Sequence, residues 1–176
     1  MADQSEIVMD LLNSEGSRLL GLLKRLTLRE DIAQDLLQEL VIRLLESKKF
    51  FGATSKIAFA RRCAMNLAFN WRRRARPKLP GLSLEGQADP KPSPHQQVAD
   101  ADEFQEILRA SETLSELQRD IFILHFVEQE SYESIASQYG KTAQQVRGLA
   151  HKAIEDIRLR LNRHEDSSQE QTHVRV

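Results

Sequence analysis

The sequence predicts an all-α protein: two small helical domains joined by a proline-rich linker, the second carrying a helix-turn-helix. Three observations support this. Apolar residues recur at helical spacing through most of the chain, with no sustained two-residue alternation between turn signals. All five prolines, Pro77, Pro80, Pro90, Pro92 and Pro94, fall within one short stretch that also holds Gly81 and Gly86, where neither helix nor core can form. Charge is also segregated. Residues 47–84 contain no Asp or Glu but hold Lys48, Lys49, Lys56, Arg61, Arg62, Arg72, Arg73, Arg74, Arg76 and Lys78. Acidic residues dominate from Glu85 to Gly140, and bases return from Lys141 to Arg163. The expected boundaries are 1–76 for the first domain, 77–99 for the linker, 100–163 for the second domain and 164–176 for a disordered tail.

Composition narrows the function. The chain has 176 residues, 40% hydrophobic and 29% charged, with a formal net charge of −1. No apolar run approaches the ~20 residues that span a bilayer, and MADQSEIVMD lacks the layout of a secretion signal. A soluble, cytoplasmic protein is expected, without membrane insertion. The single cysteine, Cys63, leaves no internal disulfide and no multi-Cys zinc site. No Ser/His/Asp, Cys/His or metal constellation supports catalysis, so neither enzymatic activity nor a cofactor is expected. Two basic segments flanking an acidic one suit two contacts with a polyanion, for which nucleic acid is the usual identity.

The first helix is expected around Glu6 to Leu26, apolar at Ile7, Leu11, Leu12, Leu19, Leu20 and Leu23. Gly16 and Gly21 each weigh against its continuity by ~1 kcal/mol. A second helix has a clear stripe at Ile32, Leu36, Leu37, Leu40, Val41, Leu44 and Leu45. Its other side carries Asp31, Gln34, Asp35, Gln38 and Glu39. FFGATS, residues 50–55, reads as a loop. Phe59, Cys63, Leu67 and Trp71 then mark the buried stripe of a helix ending in the arginine run. Turned away from it are Arg62, Asn66, Asn70 and Arg73. Amides for base edges, cations for phosphates and nearby Phe50 and Phe51 are the ingredients for holding unstacked single-stranded bases. Core packing is the competing role for at least one of these phenylalanines.

In the second domain, Ser115 with Gln118 forms a capping box before Leu117, Ile121, Phe122, Leu124 and Phe126. Ser131 caps a short helix with Ile135, Ala136 and Tyr139, and Gly140 supplies a left-handed stop. Thr142 then caps a last helix whose buried stripe is Val146, Ala150, Ala153, Ile154, Ile157 and Leu161. Short helix, glycine turn and longer helix make a helix-turn-helix. Gln144, Gln145, Arg147, Gly148, His151 and Lys152 occupy the side that such helices insert into the major groove. Gln pairs with adenine and Arg with guanine. Gln145 ranks below Gln144 and Arg147, because it cannot both cap the helix and read a base. His151 has no second ligand at metal spacing.

Both domains, in this order, resemble the sigma-70 family of bacterial RNA polymerase initiation factors, in the short extracytoplasmic-function (ECF) type with regions 2 and 4. DIAQDLLQELVIRLL and AFARRCAMNLAFNWRRRAR resemble region 2. LSELQRDIFILHFVEQESYESIASQYGKTAQQVRGLAHKAIEDIRLRL resembles region 4. The resemblance implies that Asp35, Gln38 and Glu39 dock on the clamp helices of the largest polymerase subunit, and that region 4 meets the flap of the second largest. It implies that Phe50, Phe51, Arg62, Asn66 and Asn70 capture bases of the −10 element. Arg72, Arg73, Arg74 and Arg76 would grip the adjacent backbone. Thr142, Gln144, Gln145, Arg147, Gly148, His151 and Lys152 would read the −35 element. An anti-sigma factor is a possible further partner. Phe59 stands where a Trp is usual, Asn70 where an Asp is common, and Leu149 where an Arg is frequent. A free-standing LuxR-like helix-turn-helix regulator is the main alternative, and an RNA-binding or structural adaptor the second.

Overall fold

The structure, a computed structural model, describes residues 4–75 and 95–173. Among these residues every regular element is helical. The chain divides between Arg76 and Pro77 into two compact units. Most of the expected linker, residues 77–94, lies outside the described residues, as does Arg76.

The first unit comprises α1 (Gln4–Thr27), α2 (Glu30–Glu46), the short α3 (Lys48–Gly52) and α4 (Lys56–Ala75). Helices α1, α2 and α4 pack against one another. Val8, Leu11, Leu19, Leu22, Leu23 and Leu26 of α1 meet Ala33, Leu36, Leu40 and Leu44 of α2, all buried. On α4 the buried set is Ala60, Ala64, Met65, Leu67, Ala68 and Phe69, and its alanines let the helix approach closely. Helix α1 passes unbroken through Gly16 and Gly21. Burial of leucines on both sides of Gly21 outweighs the ~1 kcal/mol that each glycine costs. Leu28 ends α1 in the left-handed region at φ 57°, and its N–H closes on the Lys24 carbonyl at 2.9 Å.

Two expectations change here. Residues 50–52 belong to α3 rather than to a loop, because Ser47 caps that helix by accepting from the Phe50 N–H at 3.2 Å. The buried face of α4 is also rotated from the expected stripe. Phe59, Cys63 and Trp71 are only half-buried, while Met65, Phe69 and Arg72 turn inward.

The second unit comprises α5 (His95–Ser111), α6 (Glu116–Phe122), α7 (Tyr132–Tyr139) and α8 (Ala143–His173). A π turn, Ile123–Val127, continues α6. Helices α5, α6 and α7 all pack on α8, around Leu108, Leu114, Ile121, Ile123, Leu124, Ile135, Val146, Ala150, Ala153 and Ile157. Buried Asp120 accepts from the Tyr139 hydroxyl at 3.0 Å and lies 3.6 Å from the Arg119 guanidinium, which ties α6 to α7. Both outer helices exceed expectation. Helix α5 begins inside the range assigned to the linker, and α8 continues through the expected tail to His173. No Gly or Pro interrupts 95–139 or 149–173, and extending an existing helix is far easier than nucleating one.

Candidate nucleic-acid interface

Three surfaces carry the residues singled out by the sequence. The first is the outer side of α4. Arg62, Asn66 and Asn70 are half-buried there, and Arg73 and Arg74 are exposed. The Arg73 guanidinium donates to the Asn70 side-chain oxygen, leaving that amide's N–H₂ as its outward donor. Phe59 and Cys63 share this side, since positions 59, 63, 66 and 70 fall on one helical face. Burial pushes the Cys63 thiol up, with Arg43 and Arg62 pulling weakly the other way. Phe59 is an aromatic that the sequence reading assigned to the core.

Two expected members are absent from this surface. Phe50 is wholly buried, with its ring 5.2 Å from Phe51 and 5.9 Å from Phe59. It supports the site from beneath and cannot stack on a base, whereas Phe51 remains half-buried. Arg72 is also buried, and its Nη1 donates to the Leu26 carbonyl at 3.1 Å. It fastens α4 to the end of α1 and offers no grip on phosphate. Lys56 covers the α3–α4 corner, donating to the carbonyls of Phe51 and Ala53 at 3.1 and 3.0 Å.

The second surface lies on α2. Asp35 and Gln38 are exposed; Glu39 is half-buried and accepts from Arg43 at 2.6 Å. In their midst Ile42 is 55% exposed and Leu45 37%. Ile42 sits one turn or two from Asp35, Gln38 and Glu39 on the same face. An isoleucine this exposed inside an acidic patch is the feature that the stripe-based reading missed.

The third surface is formed by α7, its turn and the start of α8. Gly140 adopts φ 60°, ψ 41° and closes α7, a conformation in which glycine carries no Cβ penalty. Thr142 and Gln145 form a reciprocal capping box. The Gln145 N–H donates to Thr142 Oγ1 at 3.2 Å, and Gln145 Oε1 accepts from the Thr142 N–H at 3.0 Å. Gln145 is thereby committed to the cap, which corrects its place among the base readers. Gln144, Arg147, Gly148, His151 and Lys152 are all exposed along the first turns of α8. Nothing lies within 4 Å of where a Gly148 Cβ would stand. The Arg147 guanidinium rests over the Tyr132 ring at 5.3 Å, and that ring stacks on His125 at 4.0 Å.

Among the described residues no group of three or more His, Cys, Asp or Glu could hold a metal. Nor is any helix long and apolar enough to cross a membrane.

The family model for Sigma-70 region 2 matches residues 11–78, and that for Sigma-70, region 4 matches residues 104–157. No curated protein matches. Among solved structures, the chain is similar to the sigma factor RpoE from Bartonella quintana in complex with the anti-sigma factor NepR. Identity there is 19%, coverage is 89% of this chain and 97% of that one, and the TM-score is 0.45.

Proposed function

The chain belongs to the sigma-70 family of RNA polymerase initiation factors, as an ECF-type member with regions 2 and 4, and on that premise we propose how its surfaces divide the work. It is a non-enzymatic factor that binds core RNA polymerase and promoter elements. Residues 11–78 form region 2, residues 104–157 form region 4, and the protein works in the cytoplasm beside its polymerase.

The α2 face is the core-docking surface. Asp35, Gln38 and Glu39 supply charge and hydrogen bonding toward the clamp helices of the largest subunit, and Ile42 supplies the apolar contact that acids alone lack. The flap of the second-largest subunit receives region 4. The outer side of α4 captures bases of the −10 element. Asn66 and Asn70 offer amides, Phe59 and Phe51 offer ring surface, and Arg62, Arg73 and Arg74 hold the backbone. Extruding a base costs a few kcal/mol, recovered by such pocket contacts. One observation carries this assignment: Arg62, Asn66, Asn70 and Arg73 occupy a single side of α4 while Arg72 of the same run turns inward.

Helices α7 and α8 act as a helix-turn-helix on duplex DNA at the −35 element, with Gln144 and Arg147 at base edges and His151 and Lys152 at phosphates. The tether ahead of His95, residues 77–94, can reach at most ~59–65 Å. Sites one and a half helical turns apart lie ~50 Å distant, so both heads can engage at once. A small anti-sigma protein covering these surfaces is a natural regulator.

Run-off transcription by core polymerase with the purified chain tests the reading. Asn66→Ala abolishes promoter opening, seen by permanganate reactivity, and leaves core binding intact. Loss of both together, or tight duplex binding without core, defeats the proposed division.

A further inference from the structure

We propose that Tyr132 is a positioning residue for −35 recognition: its ring holds the Arg147 guanidinium in place before DNA arrives. This rests on the reading of α8 as the base-reading helix and adds a residue that lies on α7, outside it.

The geometry is layered. His125 Nδ1 lies 2.8 Å from the Glu130 carbonyl, which can only accept, so Nδ1 carries the proton and the imidazole plane is fixed. Tyr132 stacks on that imidazole with centroids 4.0 Å apart and planes 23° from parallel. The Arg147 guanidinium lies over the Tyr132 ring, 5.3 Å from its centroid. Phe126 meets His125 edge-on at 4.7 Å and Phe122 at a tilt of 38° and 5.2 Å, so ring contacts continue down to α6, where Phe122 is buried. A long side chain on an exposed helix face is thus seated on a column that begins in the core.

The column matters for specificity because an arginine reads guanine through two parallel N–H donors in a fixed plane. A free arginine must surrender its rotamer freedom on binding, whereas one already parked on an aromatic face loses less. An exposed cation–π contact corresponds to about two- to fivefold in an equilibrium constant. The gain concerns only the base that Arg147 reads, since Gln144, His151 and Lys152 have no part in the stack.

The test uses holoenzyme reconstituted from core polymerase and the full-length chain. It selects from a duplex DNA library randomised over the upstream promoter element, and base preferences are read by sequencing. Arg147→Ala flattens the preference at one base pair. Tyr132→Leu flattens that same position about two- to fivefold and leaves the others unchanged, whereas Tyr132→Phe, which keeps the ring, retains the wild-type profile. Should thermal melting show Tyr132→Leu unfolded, Tyr132→Met replaces it. An unchanged preference at the Arg147 position in the ring-less variant, or an equal loss at every position, overturns the proposal. If Arg147→Ala itself changes no preference, the assignment of α8 falls, and this inference with it.

Discussion

Arg72, near the end of α4, donates through Nη1 to the carbonyl of Leu26, 46 residues earlier, at 3.1 Å inside the first unit. Its neighbours Arg73 and Arg74 face solvent. One run of basic residues therefore divides between holding the fold together and facing solvent. A buried acceptor left without its charged donor costs about 1.5–3 kcal/mol, so Arg72→Met lowers stability by that amount in urea denaturation of the full chain. Arg73→Ala and Arg74→Ala stay within about 0.5 kcal/mol of wild type. On the proposed reading they weaken open-complex formation instead, most at low salt, and make its salt dependence shallower.

Ile42 offers the sharpest test of the core-docking face. Substituting an exposed residue leaves the fold intact, whereas removing an apolar anchor at the centre of an interface costs 2 kcal/mol or more, about thirtyfold in affinity. Ile42→Lys therefore lowers affinity for core polymerase by about thirtyfold or more without moving the thermal melt. Met9→Lys, at an equally exposed site on α1, leaves that affinity unchanged. Fluorescence titration of labelled protein with core enzyme reads both.

Gln129 occupies φ 57° without being glycine. A left-handed conformation costs a residue with a Cβ roughly 1–2 kcal/mol, and the extra freedom of glycine in the unfolded chain returns part of that. Gln129→Gly stabilises the second unit by about 0.5–1 kcal/mol in denaturant unfolding. Gln129→Val destabilises it.

The capping box at the head of α8 separates stability from recognition. Thr142→Ala costs about 1 kcal/mol, and Gln145→Ala lowers stability without changing which upstream bases the holoenzyme selects. Gln144→Ala does the reverse, with an unaltered melt and a relaxed preference. Selection from randomised DNA beside thermal unfolding distinguishes these outcomes.

Cys63 gives a dependence on pH. Burial holds its thiol neutral above the ordinary range, so reaction with a soluble disulfide reagent lags behind that of free cysteine as pH rises. The sign for stability follows: the contribution is complete below the unfolded thiol's value and is lost as pH climbs through the raised one. A bulky adduct at this position, on the same side as Asn66, blocks promoter opening but not core binding.

What the sequence disclosed and what it hid differ in range. Ser131 accepting from the Ser134 N–H at 3.1 Å, the Thr142–Gln145 exchange and the left-handed Gly140 are chemistry between residues three or four apart, which spacing alone reveals. The inward turn of Arg72 depends on the phase of α4 against α1, and each residue rotates a helix by about 100°. Choosing Phe59, Cys63 and Trp71 as the stripe centre misplaced that phase. It sent Phe59 to the core and Arg72 to the surface. The contact between Tyr132 and Arg147 joins different helices and left no periodic trace. Helix α5 went unread because its acids dilute the apolar signal around Leu108.

The π turn at Ile123–Val127, closed by the Glu128 N–H on the Ile123 carbonyl at 3.0 Å, accommodates one residue more than an ordinary turn does. Here the surplus residue goes with an outward position for His125 and Phe126, with Phe126 41% exposed. Excising one residue would wind the segment back into regular α-helix and swing the imidazole by about 100°. Arg147, two helices away, would then lose the ring column beneath its guanidinium, with no change at position 147 itself.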